Sequence, residues 1–386
     1  MGVNRRDFLR QVGVIALGPS LLQMAALARA CPVPSKLGPL QPPDANGIRL
    51  PAGFSSRVVA VSGQTVPGTN YVWHGEPDGG AVYEISDGGW IYVSNAELGD
   101  GNGGAGALRF DAKGNIVDAY PILRGTSVNC AGGSLPGNTW LSCEEVDFGR
   151  VWQCDIFGKN SPIVRDALGW FKHEAVAYDP VHYKMYLTED TSNGRLYRFS
   201  PFKPPINGVP QVDAGCLEVA TWNQATTLLS WSEVPNPNPV SGQAPTRLQV
   251  PGSTVFNGGE GIWYHDGLVY FTTKGDNKVW ELDTVADSLR VVYSPETADI
   301  PLLTGVDNVM VSPGGQVLVA EDGGDMQLVV LEFPNRARPL LQIENQDNSE
   351  ICGPDFDPSG TRLYLSSQRG SNGNGITYEI SGPFCS

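Results

Sequence analysis

A cysteine beside a glycine pair opens the segment Asn129-Cys130-Ala131-Gly132-Gly133, and Cys143-Glu144-Glu145 follows a short way downstream. A thiolate with carboxylates at hand can hold a metal softer than calcium, such as iron. The glycine pair would let backbone approach such a metal closely. Read alone, Cys130 is equally a buried apolar thiol. The question is whether the rest of the chain brings more acids to the same place.

Other chemistries have little support. His173-Glu174 lacks the second histidine of a zinc-protease helix, and four histidines are few for zinc catalysis. The chain has no G-x-S-x-G elbow and no P-loop. The formal charge of −15 disfavours nucleic acid and anionic membranes as partners, whereas clustered carboxylates attract hard cations.

Positioning such groups requires a scaffold, and the chain repeats. Tyr92-Val-Ser-Asn-Ala-Glu97, Trp140-Leu-Ser-Cys-Glu-Glu145 and Tyr186-Leu-Thr-Glu-Asp190 share one pattern. Tyr270-Phe-Thr-Thr-Lys-Gly275, Leu318-Val-Ala-Glu-Asp322 and Tyr364-Leu-Ser-Ser-Gln-Arg369 continue it. The anchors are spaced 48, 46, 84, 48 and 46 residues apart, and the long step holds a Pro/Asn-rich insertion near 203–255. A period in the forties with several short strands per unit predicts an all-β protein, a β-propeller of six four-stranded blades, or five if the first unit is irregular. A β-sandwich is the weaker alternative. Abundant glycine (47) and proline (30) fit either architecture.

In an antiparallel hairpin the start of the first strand and the end of the second share one edge. The starts carry Asp78, Cys130, Glu174, Glu260, Asp307 and Asp355. The ends carry Glu97, Glu144 with Glu145, Glu189 with Asp190, Asp276, and Glu321 with Asp322. A propeller would gather these groups at one mouth of its central channel. Their mutual repulsion would then call for cations, and calcium accepts about six to eight oxygens.

The N-terminus reads as an export signal. Asn4-Arg5-Arg6-Asp7-Phe8-Leu9-Arg10 is a twin-arginine pattern before an apolar stretch, and Ala28-Arg29-Ala30 offers a cleavage site. Residues 1–30 are therefore expected to be a Tat signal, with 31–386 a single propeller domain. The expected location is periplasmic or secreted, the expected state a monomer, and the Tat translocon the partner during export. A lipid anchor on Cys31 is the lesser alternative. The signal carries four arginines and one aspartate, so the mature chain stands at −18. Seven cysteines in an exported protein suggest disulfides, and the odd number leaves one unpaired. Cys130 is the candidate for the free thiol, with Cys31, Cys143, Cys154, Cys216, Cys352 and Cys385 available to pair.

These residues resemble a known family. The twin-arginine segment, Asn129-Cys-Ala-Gly-Gly133, Thr139-Trp-Leu-Ser-Cys-Glu-Glu145, His173-Glu-Ala-Val176, Tyr186-Leu-Thr-Glu-Asp190, Gly259-Glu-Gly261 and Val319-Ala-Glu-Asp322 are similar to motifs of the PhoX alkaline phosphatases. The resemblance implies a propeller holding iron (Fe3+) and calcium (Ca2+) that hydrolyses small phosphate monoesters. It implies that Cys130 is the iron thiolate ligand. It also implies that Glu145 or Glu144, together with Glu174, Glu260 and Glu321, supplies carboxylates, and that Glu97 matches the glutamate of the family's Asn-His-Glu. No side-chain nucleophile is required if a metal activates the attacking oxygen. The family's phosphate-holding arginine, two residues before the position of Glu260, is replaced by Gly258. Lys274 and Arg369 are the candidate substitutes, with a solvated surface charge the bland reading of each. Two other readings stand beside the phosphatase: a calcium-stabilised propeller that binds without catalysis, and a related hydrolase, a phosphodiesterase or lactonase, on the same metals.

Overall fold

The computed structural model describes residues 37–384 apart from Asn335 and Asp347. The export segment, Cys31 and Cys385 lie outside the described residues.

The chain is a β-propeller. Six strands line its axis: Pro77–Glu84, Asn129–Leu135, His173–Asp179, Gly259–His265, Val306–Val311 and Ile351–Phe356. Each packs against the next, and the last packs against the first. Each also begins an antiparallel meander running outwards. There are five hydrogen-bonded sheets against six axial strands, because two meanders share one nine-stranded sheet through the single pairing Leu228↔Ser288. The long step in the repeat is therefore structured in part. It supplies the outer strands Gly215–Asn223 and Leu228–Glu233.

The sequence pattern follows from burial. The second strand of each meander is sandwiched between neighbouring units, so it reads as a nearly continuous apolar run. Trp90–Ala96 is buried at every residue, whereas the outermost Leu228–Glu233 is mostly exposed. The tightest hairpin turn has two residues. Asp266 and Gly267 both adopt positive φ (46° and 86°) between the paired His265 and Leu268, which is the left-handed geometry that Asp-Gly favours.

Ring closure uses the N-terminal segment twice. Ile48–Arg49 pairs with the outer strand Arg336–Ile343, and Ser55–Val61 pairs with Ile376–Ser381. Aromatic packing seals the seam between the last unit and the first. Tyr364 stacks on Tyr92 at 5.5 Å and packs against Phe110 at 4.9 Å, while its hydroxyl donates to Glu379 at 2.8 Å.

The tight turn after His173–Asp179 is held by one buried carboxylate. Asp179 accepts from the backbone N–H of Val181 (2.8 Å) and His182 (3.1 Å), and its other oxygen lies 2.7 Å from His182 Nδ1. Replacing it would strand these donors. Asp179→Ala is expected to cost about 1–3 kcal/mol in urea unfolding.

The disulfide expectation fails wherever it can be followed. Cys130, Cys143, Cys154, Cys216 and Cys352 are all free thiols. Cys143 and Cys154 sit inside the apolar packing between units, where they act as small hydrophobes.

Candidate metal centre

All six axial strands share one irregularity. Near its start each carries a β-bulge, where two residues oppose one on the neighbouring strand. A bulge re-aims side chains and sharpens the local twist. The second residues of these strands are Asp78, Cys130, Glu174, Glu260, Asp307 and Cys352. They form an inner ring, each at most 9 % exposed. A second ring comes from the residue just past the end of each second strand: Glu97, Glu145, Asp190, Lys274, Asp322 and Gln368.

The two rings interlock. Ligand atoms lie within 4.8 Å of one another in the sets Asp78–Glu97–Cys130, Cys130–Glu145–Glu174 and Glu174–Glu260–Asp307. The sets Asp307–Asp322–Glu350 and Asp78–Glu350–Cys352 close the circle. The Cys130 thiol donates to Glu174 Oε1 at 3.2 Å. Asn95 holds this strand in place from behind. Its amide N–H donates to the carbonyls of Cys130 (3.1 Å) and Ala131 (2.7 Å), and its oxygen accepts from Trp140 Nε1 and the Ser142 hydroxyl.

Below the rings the channel turns apolar. A cavity of about 160 Å³ is walled by backbone and side chains such as Gly80, Ala131, Ile262 and Val309, with no charged residue among them. This floor offers the acids no charged partner from beneath. Burial and the neighbouring acids accordingly hold Asp78, Glu174, Glu260 and Glu350 well above the usual carboxylate range. Burial pushes Glu145 up to about 8, with Asp190 adding to the effect and Lys172 opposing it.

Of the residues expected at the site, the structure brings together Cys130, Glu145, Glu174, Glu260 and Glu97. Glu144 and Glu321 lie elsewhere. Glu144 accepts from the backbone N–H of Ser127 (3.0 Å) and Arg150 (3.2 Å), and Glu321 from those of Thr304 (2.8 Å) and Gln327 (3.1 Å). In each acidic doublet the first residue clamps loop backbone and the second reaches the mouth, since successive strand residues face opposite ways. Glu189 follows the same rule, pairing with Arg247 at 3.0 Å and Tyr197 at 2.9 Å. Asp276 pairs with Lys278 at 2.8 Å instead of facing the rings. Asp355 also misses the ring. It accepts from the N–H of Val82 (2.7 Å) and Phe356 (2.8 Å), and burial pushes it up to about 7.

The glycine pair does not serve metal approach. A Cβ on Gly132 would stand 2.0 Å from the Leu141 carbonyl oxygen, and one on Gly133 would stand 1.9 Å from that of Val176. These glycines let neighbouring strands close up around the axis.

Three cations stand over the acids. Lys274 Nζ lies 3.1 Å from Glu260 and 3.0 Å from Asp322, and Arg369 lies 2.8 Å from Glu350 and 3.6 Å from Glu97. Lys172, absent from the sequence-based set, lies 2.6 Å from Glu145 and 3.3 Å from Asp190. Neither Lys274 nor Arg369 is a free surface charge. Burial alone would lower Lys274, but Asp307, Glu260 and Asp322 raise it strongly.

Gly258 sits at φ 67°, donates its N–H to Thr191 O and accepts from Lys274 N–H at 2.8 Å. A Cβ there would lie 3.3 Å from both Asp190 Oδ1 and Gly275 N. Gly258→Arg is therefore expected to destabilise by about 1–2 kcal/mol, read by chemical denaturation, so the family's arginine cannot simply be reinstated.

The donor set fits metal ions. Glu174 Oε2 and Glu260 Oε1 are buried acceptors without a hydrogen-bond partner, since Lys274 approaches the latter without alignment to donate. Oxygen-rich sets suit calcium, and the set with Cys130 suits iron.

Comparison with known proteins agrees with this geometry. The family profile described as alkaline phosphatase PhoX matches residues 147–298. The fold extends the likeness through the chain. Pseudomonas fluorescens PhoX, solved in complex with vanadate as a transition state analogue, aligns over 92% of this chain and 98% of its own, with a TM-score of 0.74 and 15% identity. A calcium-binding regucalcin from Agrobacterium tumefaciens aligns over 86% and 96%, with a TM-score of 0.50 and 11% identity. A Bacteroides thetaiotaomicron protein of unknown function aligns over 89% and 84%, with a TM-score of 0.51 and 9% identity. No curated protein matches the chain. The PhoX match spans Lys172, Glu174, Asp190, Glu260 and Lys274, and stops short of Cys130.

Proposed function

We propose that this chain is an exported, metal-dependent phosphatase that hydrolyses phosphate monoesters at an iron and calcium centre in the channel mouth. The observation that carries the reading is the closed circle of acids and thiols at one mouth, within a chain that matches PhoX in sequence and fold.

Cys130, Glu145 and Glu174 would hold iron, and Glu260, Asp307, Asp322 and Glu97 would supply oxygens to calcium. Bound metals would polarise the phosphoryl group and make the attacking water acidic. The chain's own part is positioning. The bulges aim the donors, and Asn95 fixes the Cys130 strand. Lys172, Lys274 and Arg369 would turn from the carboxylates toward phosphate once cations occupy the rings. Charge-assisted contacts of that kind would replace the arginine missing at Gly258.

The test is elemental analysis of natively exported protein together with turnover of a generic phosphomonoester, with and without vanadate. Iron and calcium should be present, and vanadate should inhibit. Metal-loaded protein with no phosphomonoesterase activity would overturn the reading and favour the binding propeller.

A further inference from the structure

We infer that the mouth holds a second sulfur-ligated metal position, formed by Asp78, Glu350 and Cys352, which takes a transition-metal cation of the zinc, iron or cobalt class. The resemblance supplies one sulfur ligand, Cys130. The sixth axial strand supplies another.

Cys352 occupies the same place on its strand as Cys130 does on the second, and the two flank Asp78 in the inner ring. Ligand atoms of Asp78, Glu350 and Cys352 all lie within 4.8 Å of one another, and all three residues are buried. Cys352 is 0 % exposed, yet its thiol faces carboxylates and not an apolar cluster. Unlike Cys130, it donates no hydrogen bond among the described residues.

An independent sign comes from Gln368. This residue is 0 % exposed, and its amide N–H donates to Asp78 Oδ2 and to Glu97 Oε2 (2.6 Å). Its carbonyl oxygen has no partner. A buried amide oxygen beside Asp78, an idle thiol and two carboxylates form a donor set, in which Arg369 is the cation now paired with Glu350, at 2.8 Å.

The sulfur decides the class of cation. Calcium takes oxygens, so a thiol at a calcium position wastes a ligand. Zinc, iron and cobalt accept sulfur and carboxylate together, at about 2.3 Å and 2.0–2.2 Å for zinc, and a three-ligand set leaves a position open. Burial, with Asp78 and Glu350, pushes the thiol up, and only a directly bound cation would make it a thiolate there.

The inference adds a position to the centre of the proposed phosphatase, but its readout is independent of turnover. Metal-depleted protein is titrated with Co2+ and the thiolate-to-cobalt charge-transfer absorption is followed. Cys130→Ser and Cys352→Ser should each keep about half of the band, and the double variant should keep none. A Cys352→Ser protein with the full band, or a Cys130→Ser protein with no band, overturns the inference. Should Cys352→Ser fail to fold, Glu350→Gln in the Cys130→Ser background leaves the thiol in place. It should weaken Co2+ binding about tenfold or more, and an unchanged titration overturns the inference. A two-part cobalt band without phosphatase activity sinks the functional reading and leaves this one standing.

Discussion

Cys130→Ser, purified and reloaded with iron and calcium, is expected to lose phosphomonoesterase kcat/KM by about two orders of magnitude or more, with iron content falling in step. Serine nearly matches cysteine in shape. The Asn95 bonds to the carbonyls of residues 130 and 131 do not depend on the side chain, so the bulge should persist. What is lost is an ionisable, polarisable ligand, since an alcohol stays protonated where a thiol can be deprotonated by metal. The thermal midpoint of the metal-free variant should match that of the metal-free parent. A variant within a few-fold of the parent in turnover, with full iron, would remove the thiolate from the mechanism.

Chelation should have the largest effect on stability. The rings hold Asp78, Glu97, Glu145, Glu174, Glu260, Asp307, Asp322 and Glu350 against only Lys172, Lys274 and Arg369. Most of these acids are buried, and the cavity beneath them offers no compensating charge. Cations that bind only the folded state stabilise by about 4 kcal/mol at a thousandfold excess over Kd, so stripping them should lower Tm by about 5 °C. The sign of the pH dependence is fixed as well. A carboxyl raised in the folded state binds more protons there than in the unfolded chain. Stripped protein should therefore lose stability as pH rises from the usual carboxylate range to about 8, where Glu145 titrates. Tm measured across that window should fall in stripped protein and stay nearly flat when metals are bound. A stripped protein that gains stability with pH would mean the acids are solvated or paired in some other way.

The propeller was legible because each second strand is buried on both faces, so every unit announces itself as an aromatic or leucine followed by a buried run, with an acid at its end in four of the six. The mouth was legible because hairpin geometry puts strand starts and ends on one edge. The finer assignments were hidden by features that leave no mark on the residues. On Ile351–Phe356 the bulge falls between Cys352 and Asp355, and it is Cys352 that stands in the ring where Asp355 was expected. Doublets such as Glu144-Glu145 cannot show which carboxylate faces inward until the end of the strand is known. Glu350 precedes its strand and belongs to no repeated pattern, and Lys172 lies in the same position of the third unit. Cys352 was left available to pair because export favours disulfides and the odd count leaves only one thiol over, and neither argument knows where a thiol points.

Residues 48–61 leave the ribosome early and are used last. Their partners, Arg336–Ile343 and Ile376–Ser381, emerge some three hundred residues later. Until then the growing chain carries unpaired strand edges open to other molecules. Circular order, and with it the meeting of donors from all six units, can be completed only after almost the whole polypeptide has been made. The centre should thus acquire its ions as a late event, in a finished molecule, and not piecemeal during synthesis.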